Sequence, residues 1–105
     1  MPFNPNANQL ISLEDAAKLT ANFRQANPTA IIANAYNKRQ MQDLLAQDNC
    51  AGFRVYNGLD EEGAQQLVFV AVDENGDDLY EGILIDKSQP CPTVCSGANP
   101  LNTNT

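Results

Sequence analysis

The chain contains no histidine and no tryptophan. Without histidine it lacks the commonest general base and the commonest metal ligand, so catalysis would have to run on carboxylates, Lys, Tyr or Cys. Basic residues are scarce: six Lys and Arg stand against thirteen Asp and Glu, a net charge of −7. Nucleic acids and anionic membrane surfaces both call for a basic face, so neither is expected as a partner. No apolar run reaches membrane-spanning length, and the start, Met-Pro-Phe-Asn-Pro-Asn, has neither the basic residues nor the apolar run of a signal peptide. The sequence also lacks a glycine-rich phosphate loop, a nucleophile elbow and a zinc-helix motif, and no cofactor is expected. A cytoplasmic location with reduced thiols is the expectation, and an odd count of three cysteines suits it better than a secreted disulfide scaffold does.

What is present fits one small domain. A chain of 105 residues can bury a single modest core. Composition divides it into a polar arm over residues 1–10, an α+β domain over 11–87, and a Pro/Cys-rich segment with a polar tail over 88–105. Ser12 can cap a first helix whose Leu13, Ala16, Ala17, Leu19, Thr20, Phe23 and Ala26 share one face, which is expected to pack inward. Asn27 is expected to take the left-handed C-cap conformation, and Pro28 stops the helix. Residues 29–36 read as an extended segment. Asn37 with Gln40 forms a capping box for a second helix carrying Met41, Leu44 and Leu45.

The stretch from Phe53 to Val72 organises the rest. Phe53, Val55 and Leu59 alternate with Arg54, Tyr56 and Gly58, an acidic turn follows, and Leu67–Val72 is apolar on both faces. That pattern predicts a hairpin whose second strand is covered on two sides. Asn75-Gly76 is a strong hairpin signal, leading into a third strand over 79–85 or a short helical turn. The expected fold is therefore α+β: two helices packed on a three- to four-stranded antiparallel meander, the fourth strand supplied by 29–36, with the Pro/Cys-rich C-terminal segment alongside.

Three features could carry chemistry. Cys91-Pro-Thr-Val-Cys95 has a Cys-x3-Cys spacing, unlike the Cys-x2-Cys of redox and zinc sites. Cys91 and Cys95 could form a local disulfide, either could pair with Cys50, or all three sulfurs could hold a metal; they could equally be small structural side chains. A bond from Cys50 to either would close a loop of about forty residues and add roughly 4 kcal/mol. Arg54 and Tyr56 share one face of the first strand and could contact an anionic ligand, although such an Arg more often bonds a neighbouring carboxylate. The acidic turns at 60–62 and 73–78 lie at opposite ends of the second strand, so they form two lobes and no paired-carboxylate centre. The second turn superficially follows a calcium loop but has Asp78 where the sharp-turn glycine belongs and Leu84 where the bidentate Glu belongs.

Gly52-Phe-Arg-Val-Tyr-Asn-Gly58, Val72-Asp-Glu-Asn-Gly-Asp-Asp78 and Pro90-Cys-Pro-Thr-Val-Cys95, in that order, resemble a group of small bacterial proteins of the Bacteroidota type that carry a C-terminal Pro-Cys-Pro-x-x-Cys motif. The resemblance implies a bacterial source and brings no activity with it. The residues themselves point to a non-enzymatic interaction or assembly module. It would meet a protein partner, or a second copy, through an exposed sheet edge or the acidic lobes. The alternative is a thiol-redox or metal-responsive module on Cys50, Cys91 and Cys95.

Overall fold

The computed structural model describes residues 2–103. Among them are two helices, α1 (Leu13–Ala26) and α2 (Lys38–Leu45), and five strands. The strands are β1 (Ala33–Ala35), β2 (Gly52–Leu59), β3 (Gln65–Val72), β4 (Leu84–Ile85) and β5 (Gln89–Cys91). The fold is α+β with a small antiparallel meander, as the pattern predicts. Its contacts group into two units, and neither is one continuous stretch of chain. No helix among the described residues is long and apolar enough to cross a membrane.

One unit combines the N-terminal residues through Ala7 with Tyr36–Ser88. It holds the meander, in the order β2-β3-β4. The β2–β3 register runs from Gly52 opposite Val72 to Leu59 opposite Gln65. Gly63, at φ +83°, makes the turn between them, and Asp60 Oδ1 accepts from the Glu62 and Ala64 amides. A β-carbon is disfavoured at that φ, so glycine is the natural occupant. β3 is the central strand, and Val70, Ala71 and Val72 are all buried. Successive side chains point to opposite faces, so this end of β3 is covered on both sides.

Two devices supply that cover. The Phe3 ring packs against Gly52, the ladder partner of Val72, and a Cβ on Gly76 would stand 2.5 Å from the Phe3 Cβ. α2 packs against β3 and β4 and seats Leu44, which is fully buried. Burying that side chain contributes about 2 kcal/mol. Asn37 caps α2: its Oδ1 accepts from the Gln40 amide at 2.9 Å, and its Nδ2 donates to Gln40 Oε1 at 3.0 Å. Just ahead of the cap, Tyr36 meets Phe69 edge-on with ring centroids 4.6 Å apart.

The third strand is much shorter than residues 79–85. Gly82 N donates to Leu79 O at 3.1 Å, which makes a turn, and Ile83 N donates to Gln47 Oε1 at 2.9 Å. The amides of 82 and 83 are thus taken by a turn and by a side chain from beyond α2. Only Leu84 and Ile85 reach β3 as a strand, preceded by an isolated bridge between Val72 and Asp78.

The other unit combines Asn8–Ala35 with the chain from Gln89 onward. Ser12 caps α1 as expected, its Oγ accepting from the Asp15 amide at 3.0 Å. Asn27 is not left-handed: φ is −137°, and both its amide and its side-chain Nδ2 donate to Phe23 O. Among the described non-glycine residues it is instead Asn49, after α2, that has positive φ. The apolar stripe of α1 does not become a buried face. No α1 residue is buried, and Leu19 is 62% exposed. The unit offers the helix only a three-residue ribbon and the C-terminal segment, too little to cover a full stripe.

Residues 33–35 do form a strand, but it joins β5 in a separate two-stranded sheet and adds nothing to the meander. Asn34 lies opposite Pro90. Proline is tolerated there because a two-stranded ribbon is all edge.

Candidate functional site

The three cysteines divide. Cys91 and Cys95 form a disulfide, with Cα atoms 4.8 Å apart. Cys50 is a free thiol, half-buried, and its Sγ donates to Gly52 O at 3.2 Å. Of the alternatives open in the sequence, the local disulfide is the one formed, and Cys50 pairs with neither tail cysteine. The bond closes a short loop at the end of β5, braced by Val94 N donating to Pro90 O at 2.8 Å. Chain-entropy reasoning gives a loop this short roughly 2 kcal/mol, half of what a Cys50 bond would have added. The bond also uses two of the three sulfurs that a three-thiolate metal site would have needed. The described residues contain no group of three or more Cys, Asp, Glu or His side chains placed to hold a metal. In the calcium-like turn, Asp73 Oδ1 accepts from the Asn75 and Asp77 amides and so serves its own backbone.

Arg54 and Tyr56 converge on Asp78. The guanidinium pairs with Asp78 Oδ1 and the phenol donates to Oδ2, while Arg54 Nη1 also donates to Gly76 O at 2.9 Å. Arg54 lies opposite Val70, and Asp78 bridges Val72 from the other side of β3. All of these side chains share one sheet face, so Arg54 and Asp78 meet across β3 and roof its buried valines. The hydrogen bond from Tyr56, joined by the guanidinium, holds the Asp78 carboxyl below the usual carboxylate range against the opposing effect of burial. The same bond pushes the Tyr56 phenol up. The cluster is internally paired: the anion that Arg54 and Tyr56 contact is part of the chain. Asp78 was the residue that sequence reasoning missed as their partner. The available signal was register, since the Asn75-Gly76 turn returns residue 78 to the face that carries Arg54.

The feature left unpaired is the outer edge of β2. An antiparallel ladder bonds alternate residues. Asp60 N donates to Ala64 O at 3.0 Å in the β2–β3 register, and Leu79 N donates to Ala71 O at 2.8 Å from the β4 side. Both fix the phase. Arg54, Tyr56 and Gly58 turn their backbone groups toward β3, while Phe53, Val55, Asn57 and Leu59 turn theirs outward. Among the described residues no strand pairs with β2 on that side. The side chains of the outward set share the face carrying Phe69, whose ring lies 5.7 Å from that of Phe53. Phe53, Val55 and Leu59 are 48%, 40% and 74% exposed. The edge thus offers unpaired backbone groups and uncovered apolar side chains together.

The Asp78 cluster has a signed pH signature. Its lowered carboxyl contributes stability above the unfolded carboxylate value of about 3.9, lost as pH falls through the lower folded value. The raised Tyr56 phenol contributes stability below about 10, lost as pH rises through the higher folded value. Asp78→Asn lowers the melting temperature between about pH 5 and 9, and the gap to wild type narrows in acid. Thermal melts across pH check this, and a constant gap down to pH 2 contradicts it. Alkylation of the unreduced, denatured chain labels Cys50 alone, and prior reduction exposes three sites to label, read by intact mass.

No protein-family model matches the chain, and neither does any curated protein or solved structure.

Proposed function

We propose that this is an interaction or assembly module that takes an extended segment of a protein partner onto the outer edge of β2. The supporting observation is the edge itself. It is an eight-residue strand, long for an uncovered edge. Natural edges are blunted by Lys, Pro, bulges or short length. β2 contains no Lys and no Pro, and its one charged residue, Arg54, is engaged by Asp78 on the opposite face. β4, at the other side of the sheet, is two residues long. Strand addition takes affinity from main-chain bonds and selectivity from alternate side chains, and β2 presents both. The balance of −7 supports a protein partner over nucleic acid.

The thiol reading keeps one supporting observation, the Cys91–Cys95 bond. Such a bond persists in an oxidising compartment, where thiols are not held reduced.

Asn57→Pro tests the edge. Asn57 is exposed and its amide points outward, so proline removes an edge donor and leaves the β2–β3 ladder bonds in place. Ten-residue peptides selected from a random displayed library against the full chain lose about tenfold or more in affinity for this variant, while its melting temperature stays within a few degrees. Selected peptides that bind both forms equally contradict the proposal.

A further inference from the structure

The partner segment can be specified further, and this step rests on the edge reading above. Acidic turns lie beyond both ends of β2, one joining β2 to β3 and the other leaving the far end of β3 toward Asp78. Beyond Leu59 lies the turn with Asp60, Glu61 and Glu62, all exposed. At the other end, Gly52 lies opposite Val72, and β3 leads directly into Asp73, Glu74 and Asp77; Glu74 and Asp77 are exposed. Asp60 and Asp73 accept from backbone amides and, for Asp60, from the Gln66 amide, and these donors carry no counter-charge. Between the two lobes the outward residues are Phe53, Val55, Asn57 and Leu59, with no exposed counter-charge among them. Eight strand residues at about 3.4 Å each separate the lobes by roughly 27 Å.

We infer that the β2 edge accepts an extended segment with an apolar, alternating centre and basic residues at both ends, about eight residues apart. A basic side chain at each end meets a carboxylate lobe, and the middle lays apolar side chains over Phe53, Val55 and Leu59. Acid at both ends makes the charge pattern indifferent to whether the incoming strand runs parallel or antiparallel.

A second copy of this chain fits worse. Two-fold edge pairing is antiparallel and sets the Leu59 end of one β2 beside the Gly52 end of the other. The 60–62 lobe of each copy then comes to the same end of the joined sheet as the 73–77 lobe of its mate, and these like charges repel. Each copy also brings a net −7.

The test uses the full chain and three synthetic peptides sharing one alternating Val/Thr centre: Lys-ended, Gln-ended and Glu-ended. Titration at low salt is expected to rank them Lys, Gln, Glu, with the Lys-ended peptide at least about tenfold tighter than the Gln-ended one. That ratio falls toward one in about 0.5 M salt, because exposed charges are screened. In the charge-reversed Glu61→Lys, Glu62→Lys, Glu74→Lys chain the ranking inverts, while Asn57→Pro weakens all three peptides. Equal, salt-insensitive binding of the three, abolished by Asn57→Pro, overturns the charge assignment and leaves the edge reading standing. Binding of none overturns both. Light scattering that shows a dimer at titration concentrations, lost in Asn57→Pro, overturns the basic-segment assignment in favour of a second copy.

Discussion

The pairing of β2 with β3 is the interaction on which the rest of the structure depends. Its register sets which side chains share a face. With Arg54 opposite Val70, the guanidinium and the Tyr56 phenol reach Asp78 over the buried valines. A slip of one residue would turn Arg54 and Tyr56 to the other face and leave Asp78 without either partner. The turn that joins the two strands needs glycine, Gly63 at φ +83°, and so does the next turn, which returns the chain from β3 to Asp78, with Gly76 at φ +82°. At Gly76 the socket for Phe3 adds a steric reason to the conformational one. The same register leaves the alternate backbone groups of β2 facing outward, so the functional reading and the stability of the sheet come from one ladder.

The two units solve the problem of small size differently. The one holding the meander has a true core in Leu44, Val70, Ala71 and Val72. In the other, Cys91 is the only buried residue among those described. That unit relies on local closure. Arg24 Nη1 donates to Leu101 O at 2.7 Å, Asn99 and Asn102 bond the C-terminal loop to itself, and the Cys91–Cys95 bond fastens the end of β5. Units too small to bury enough apolar surface commonly lean on such covalent and polar staples.

Local structure was legible in the sequence wherever the signal was local. The Ser12 and Asn37 caps depend on residues three apart, and both helices start where those residues say. The hairpin depends on alternation and turn glycines, and it formed in the expected place. What could not be read was non-local. Nothing in residues 29–36 says that their partner is the proline-containing segment at 89–91 and not the meander. Nothing near Leu79 shows that Gln47 will take the Ile83 amide and shorten the strand. Asn27 missed its expected conformation because its side chain found Phe23 O as an acceptor, which removes the need for a left-handed cap. For the candidate site, the sequence placed Arg54 and Tyr56 on one face correctly but withheld the carboxylate that occupies them. It also gave three cysteines no means of choosing their partners.

Amide-resolved hydrogen exchange on the free chain reads the central claim most directly, because it reports which β2 amides are bonded and which are not. The account predicts alternation: Arg54 and Tyr56 protected by the ladder, and Phe53, Val55 and Asn57 exchanging rapidly at the open edge. Uniform protection along β2, or protection of the odd-numbered residues in place of the even, would contradict it.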